Sequence, residues 1–434
     1  MGYEKVDLAS ANAVSSALNV FSTPATNVSV ASSKYQELLP SNTLDCVPYT
    51  FKLNAGANFV DLSRCFMVTE MKLVFEDADR SLKPPEPGAK VASVQGIGAT
   101  FIQNVKVKLN GREVFNSNSL YAYKAYLDTE FTYSSEVKRS YLTAAGWYQD
   151  GKSQTSGTGV DSRVALLSKG EPVQFLSRLY VDLFNQERYL VNGVDIEIEV
   201  TPHKSSFSLM NLGDADAKNY RLLVTSCKMY VKTLNVMDGL SVSITDRLQT
   251  TSARYPYRKA ELKSTFISAG TYEVNKMMFT DNLPSWAAVA FVSASSYMGD
   301  QKSSPFEFKP FGVREISLVA NGKNYPNIPY DLAWTGNKYC RAFHDMHEGT
   351  GLGSDSNGIS MEKYANGWTV FVFNLSDSDD DSGTFDLVRT GSTSINVNFS
   401  EPVPTGGIYM IVYGERHSLL LLDGNRTVST DLTA

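Results

Sequence analysis

The sequence predicts an all-β chain built from two tandem copies of one sandwich domain. Three observations carry this. Alternating strand patterns run almost without a break from Thr43. An Asn-Gly hairpin signal occurs twice, at Asn110-Gly111 and at Asn321-Gly322, about half of the 434-residue chain apart. The elements around the two signals come in one order. Asn-Gly is the commonest hairpin turn in any β protein, so the matched order carries more than the dipeptide does. Only stacked sheets bury one face of so many alternating strands, and eight strands with long loops fit a jelly roll. The expected fold is therefore two tandem eight-stranded jelly rolls, a double jelly roll with short helices in the long loops.

Residues 1–40 are rich in Ala, Ser, Thr, Asn and Val, and hold no sustained period. They read as a flexible N-terminal arm that orders only against the body or a neighbour. The first jelly roll is expected over 41–240. "VPYTFKL" and "FMVTEMKLVFE" alternate as strands, and "DADRSLKPPEPGAK" breaks the pattern with three prolines and a glycine. Val105, Val107 and Leu109 alternate with Lys106 and Lys108 up to the first Asn-Gly turn. Ser119 to Leu142 has helical spacing. A Gly/Ser-rich loop from Gly146 to about Ser162 leads to the strand pattern "VQFLSRLYVDLF". "NQERYLVNG" reads as a short helical turn, with Asn192-Gly193 turning the chain into "VDIEIEV". "YRLLVTSCKMYVKTLNV" closes the copy.

The stretch from Met237 to Arg254 reads as a polar connection. The second jelly roll, expected over 241–434 with a C-terminal tail, begins with "AELKSTFI", "GTYEVNKMMFT" and "WAAVAFVSAS". Ile316, Leu318 and Ala320 then alternate up to Asn321-Gly322. Helix-like spacing follows from Trp334 to His347, then the loop "GTGLGSDSNGIS". "GWTVFVFNLS", "SINVNFS" and "IYMIVYGERHSLLLL" complete the list, matching the first copy in order.

Composition is that of an ordinary globular protein, with 42% hydrophobic and 20% charged residues. Lys+Arg 40 against Asp+Glu 46 gives −6, which argues against a surface built throughout for nucleic acid. Cys46, Cys65, Cys227 and Cys340 show no Cys-x-x-Cys spacing and read as four buried thiols in a reducing compartment. No apolar run is long enough for a membrane helix, and no secretory signal is visible.

The stretch "FLSRLYVDLFNQERYLVNGVDIEIEVTPHKSSFSLM" resembles a known group, as do "GTGLGSDSNGIS", "YANGWTVFVFNLSDS" and "FDLVRTGSTSINVNFSEPVP". They are similar to uncharacterised animal-genome proteins, many of them residues of Polinton/Maverick elements and the related adintoviruses. The hexon-like major capsid protein of those elements is a double jelly roll. The resemblance spans about Thr43 to Val428. It implies a homotrimer whose six jelly rolls imitate a hexagon and tile an icosahedral capsid around a DNA genome. It also implies a single-jelly-roll penton protein as partner and residence in the virion, after synthesis in host cytoplasm and assembly in the nucleus or a viral factory.

Reactive groups are sparse, and no catalytic, cofactor-binding or metal residues are assigned. His344 and His347, with Asp345 and Glu348 beside them, lie three apart but lack the His-Glu-x-x-His order of zinc proteases. The acidic run Ser376 to Asp381 lacks the calcium-loop pattern. Gly349 to Gly358 has no Lys-Ser/Thr ending for a phosphate and reads as a flexible crown loop. His203 and His417 read as structural. Lys106 to Arg112 and Tyr255 to Lys263 hold cations beside aromatics, suiting at most weak, non-specific contact with packaged DNA. The expectation is a non-enzymatic coat protein. The alternative is a two-domain β-sandwich module binding carbohydrate or peptide, because jelly rolls serve both.

Overall fold

The computed structural model describes residues 5–213, 219–352, 355–376, 385 and 387–430. The first half folds β1 (Val30–Leu38), β2 (Tyr49–Asn54), β3 (Phe59–Glu76), β4 (Ile102–Leu109), β5 (Arg112–Asn116), β6 (Val173–Arg178), β7 (Asp195–Pro202) and β8 (Tyr220–Val236). The second repeats them as β9 (Ala253–Ile267), β10 (Glu273–Phe279), β11 (Trp286–Ser293), β12 (Val313–Ala320), β13 (Lys323–Tyr325), β14 (Val370–Asn374), β15 (Thr393–Phe399) and β16 (Ile408–Leu422). One sheet of the first half runs β1-β8-β3-β6 and the other β2-β7-β4-β5; the second half runs β9-β16-β11-β14 and β10-β15-β12-β13. Each strand of one half thus has its counterpart eight strands later, in the same sheet position. All these pairings are antiparallel. This is two jelly rolls in tandem.

Both Asn-Gly turns carry positive φ at both positions, 48° and 78° for Asn110 and Gly111, 47° and 80° for Asn321 and Gly322. That geometry matches the twist of the flanking strands. Each asparagine also anchors its turn to the start of the neighbouring strand in the sheet, β7 in the first half and β15 in the second. Asn110 Oδ1 accepts from Asp195 N at 2.8 Å, and Asn321 Nδ2 donates to Thr390 O at 3.1 Å. A Cβ on either glycine would meet nothing within 4 Å. The cost of substitution there is conformational alone, and largest for a β-branched residue. Gly111→Val and Gly322→Val are each expected to lower stability by about 1–2 kcal/mol and to reduce soluble assembled protein. Chemical denaturation and size-exclusion yield check this, and wild-type behaviour of both would refute the turn's role.

Several elements differ from the sequence reading. β1 lies inside the stretch read as an arm, with Ala31 to Glu37 all exposed. It holds its place by pairing with β8, not by an apolar face. The polar connection after Met237 is the helix α3 (Asp238–Leu248), in which only Leu248 is buried. With no apolar stripe, it carries no sequence period. A further helix, α2 (Thr158–Leu167), starts within the Gly/Ser-rich loop. The Ser119 to Leu142 segment begins as α1 (Tyr121–Thr132) and continues in shorter turns. The second helical segment is α4 (Cys340–Gly349), shorter than its spacing suggested. The turn placed on "NQERYLVNG" falls earlier, at Asp182–Asn185. Residues 5–28 lie exposed, Phe21 and Val6 fully so.

Candidate functional site at the seam between the halves

Helix α1 leaves the first jelly roll after β5 and is buried almost all round, from Tyr121 to Phe131. A helix buried on every side needs neighbours on every side, and the second half supplies them. Tyr126 stacks on Phe306 at 4.5 Å between centroids, nearly parallel. Tyr123 stacks on Tyr297 at 5.6 Å and meets Phe306 edge-on. Phe131 meets both Trp286 and Tyr413 edge-on, at 5.4 and 5.8 Å. These offset and T-shaped geometries suit the aromatic quadrupole.

Charged side chains are buried along the same seam. Lys124 Nζ lies 2.6 Å from Asp128 and 2.7 Å from Asp182. Asp182 in turn accepts from Ala260 N, on β9 of the second half, at 3.0 Å. Lys138 pairs with Glu130 and donates to Asn357 O at 3.0 Å, while Ser135 N donates to Ser356 O at 2.7 Å. Arg163 pairs with Asp150 at 2.9 Å. Gln154 donates to Phe306 O and Gly367 O. Arg426 Nε and Nη2 reach Asn192 O and Oδ1, both at 2.7 Å, and Arg426 O accepts from Asn110 Nδ2. The C-terminal loop thereby holds two of the first half's turns at once. Buried ion pairs of this kind fix one relative placement, because a shift leaves a charge unpaired.

Burial sets the titration of this network. Burial pushes the Asp182 carboxyl up to about 6, against the pull of Lys124, and pushes Asp150 up to about 6, against Arg163. For Lys124, burial works downward but the two carboxylates outweigh it, so its pKa is raised. One cation faces two acids, so the cluster is neutral when one acid holds a proton. A carboxyl whose folded pKa is raised contributes stability that is full below its unfolded pKa, near 4, and is lost as pH rises through about 6. Asp182→Asn is therefore expected to lose less stability than wild type between pH 5 and pH 7.5. Urea midpoints at the two pH values check this; equal losses would contradict it.

The reactive groups singled out in the sequence do not gather. His344 is exposed and His347 half-buried; burial lowers the His347 pKa, and Asp345 is taken by Tyr330 Oη at 2.6 Å. Among the described residues no group of His, Cys, Asp and Glu could hold a metal. His203 stacks on Phe207 at 3.7 Å, and burial brings its pKa down to about 4. His417 meets Phe385 edge-on at 5.3 Å. Of the acidic run Ser376 to Asp381, all but Ser376 lies outside the described residues. The glycine-rich loop, expected to be a flexible crown, is tied to the first half through Ser356 and Asn357, although Gly353 and Ser354 are not described.

The basic stretches are also spoken for. Lys108 lies 2.9 Å from Glu197 and 2.5 Å from Glu199, and Lys52 lies 3.2 Å from Glu197. The alternating acids of "DIEIEV" thus neutralise Lys108 of β4 on one side and Lys52 of β2 on the other. Lys263 pairs with Glu261, donates to Met278 O and sits over the Phe279 ring. The four-buried-thiols reading holds for two: Cys65 and Cys227 are buried, their thiols pushed up to about 12 by burial, whereas Cys46 and Cys340 are exposed. A cavity of about 970 Å³ opens beside the seam between α1 and the second half, lined by both signs of charge, among them Arg258, Arg341, Glu348 and Glu415.

The seam network was not legible in the sequence beyond α1's helical spacing, because its partners come from segments far apart in the chain. Its single signal was the set Lys124, Asp128 and Glu130 inside an otherwise aromatic helix.

No family model matches the sequence. The uncharacterised protein F54H12.2 of Caenorhabditis elegans is 26% identical over 420 residues, covering 94% of this chain and 99% of that one. Among solved structures, a chain of the Sputnik virophage aligns over 100% of this chain and 95% of its own length, at 10% identity and TM-score 0.66. The mavirus major capsid protein aligns over 99% and 97%, at 13% identity and TM-score 0.60. A chain of the PBCV-1 virus capsid aligns over 95% and 100%, at 10% identity and TM-score 0.57. At these identities the likeness is one of fold, and it extends over both sandwiches together: the chain is a double jelly roll.

Proposed function

We propose that this chain is the major capsid protein of a virus or virus-like transposon of the Polinton/Maverick and adintovirus kind. It trimerises into pseudo-hexagonal capsomers that tile an icosahedral shell around a DNA genome. The observation that carries the reading is the seam. Two jelly rolls locked by stacked aromatics and buried ion pairs make one rigid two-lobed tile, and the mavirus capsid protein aligns with both lobes at once. The proposed partners are two further copies of the chain, neighbouring trimers and a single-jelly-roll penton protein. Contact with packaged DNA is weak, since Lys108 of β4 is held by its own acids Glu197 and Glu199. The role is structural and not enzymatic, and the site of residence is the virion. No helix among the described residues is long and apolar enough to cross a membrane.

Electron microscopy of the purified chain tests this. Pseudo-hexagonal particles or closed shells are expected. Isolated two-lobed particles in every condition would favour a two-domain binding module, with the 970 Å³ cavity as its ligand site.

A further inference from the structure

The ammonium of Lys124 touches two buried carboxyls at once. Asp128 lies 2.6 Å away on the same helix, and Asp182 lies 2.7 Å away on the turn between β6 and β7. All three residues are shut off from solvent, at 2%, 9% and 4% exposure. The two acids are held differently. Asp182 is fixed at both oxygens, since Oδ1 meets Lys124 and Oδ2 accepts from Ala260 N at 3.0 Å. Asp128 meets Lys124 through Oδ2, while its Oδ1 is buried without a hydrogen-bond partner. Buried polar atoms are seldom left so, and this one is free to take part in proton transfer.

These are the parts of an acyl transfer. There is an amine, a carboxyl to receive it, a backbone N–H on the oxygen where charge develops, and a second carboxyl touching the amine to carry protons. Exclusion of water favours the reaction, because separated charges are costly there and a neutral product is not. Burial pushes the Asp182 carboxyl up to about 6, so it holds a proton at mildly acid pH. Burial pulls the Lys124 pKa down but its two carboxylates outweigh that, so the resting amine is charged and the step is slow. Among the described residues no other buried lysine is placed this way. Lys138 meets one acid, Glu130, and Lys108 meets two acids but is only partly buried.

We infer that this cluster closes on itself into an amide between Lys124 Nζ and Asp182 Cγ, with Asp128 carrying the protons. The start is the neutral cluster, in which Asp182 holds a proton and the ammonium passes one of its own to Asp128. The free amine turns from the edge of the Asp182 carboxyl to its face and bonds to Cγ. Ala260 N holds Oδ2 in place and stabilises the charge that develops on it. Asp128 gives its proton to Oδ1, which departs as water when the Cγ–Oδ1 bond breaks, and takes one proton from the nitrogen. The products are a neutral amide, one water and a protonated Asp128, so atoms and charge balance. Asp128 lines the 970 Å³ cavity beside α1, which receives the water. The bond fixes the seam helix to the turn that holds β9. It needs the fold of one chain and not its assembly.

Intact-mass spectrometry of the full chain, incubated below its melting temperature, tests this. The freshly folded chain is expected to carry its full mass and to lose the mass of one water on standing. Trypsin then no longer cuts after Lys124, and peptide mapping gives a branched peptide joining Lys124 to Asp182. Lys124→Arg and Asp128→Asn are expected to keep their full mass, with circular dichroism showing that each is folded. If either variant does not fold, the wild-type mass and branched peptide still decide. A folded wild type that keeps its full mass throughout would overturn the inference. So would a lost water that maps to a succinimide at an Asp-Gly pair such as Asp238-Gly239 or Asp423-Gly424. A branched peptide that still forms in Asp128→Asn would overturn the role given to Asp128.

Discussion

Replacing Lys124 by Met is expected to destabilise the protein by about 3–5 kcal/mol at pH 7.5, the cost of leaving buried charge without its partner. Lys124 is buried with Asp128 and Asp182 as direct partners, and Asp182 ties the first half to β9 of the second. Removing the ammonium leaves two carboxylates facing each other across a site that excludes water. They can escape only by taking up protons, so the penalty should shrink at pH 5. Urea denaturation of wild type and Lys124→Met at both pH values measures this. A second change, Asp182→Asn in the Lys124→Met background, should recover part of the loss by removing one stranded charge. A loss under about 1 kcal/mol at pH 7.5 would place the ion cluster among pairs of little consequence.

Phe306→Ala is expected to cost a similar amount, about 3–5 kcal/mol, the usual range for emptying a buried aromatic site. Phe306 is fully buried and comes from the second half. Its ring stacks on Tyr126 and meets Tyr123 and Phe207 edge-on, all three from the first half. The void would open inside the seam and not within either sandwich. Loss of stability should therefore be accompanied by earlier proteolysis at the connection between the halves. Phe306→Leu keeps most of the volume and should recover more than half of the loss, read from the same denaturation curves. A Phe306→Ala protein with unchanged stability and protease resistance would mean that the halves are joined elsewhere.

Much of the architecture was legible because register and turn chemistry are local. The paired Asn-Gly turns, the "DIEIEV" and "SINVNFS" strands and the common order of elements all follow from period-two alternation closed by a positive-φ turn. What escaped was set by neighbours. β1 is polar along its exposed length and is a strand only because β8 pairs with it. α3 has one buried residue, so no apolar stripe announced it. The lysines of β4 looked like a patch for phosphate until β7 brought Glu197 and Glu199 alongside, and Cys46 and Cys340 proved exposed where burial was expected. The continuous apolar runs "WAAVAF" and "VFVF" did hold one unread signal. Strands covered on both faces lose their alternation, and only the second half has them in this sheet.

The central claim is that this double jelly roll is a self-assembling tile, and the mass of the purified full chain by light scattering, across salt and concentration, tests it most directly. The account predicts a mass of three chains. A clean monomer under every condition would contradict it.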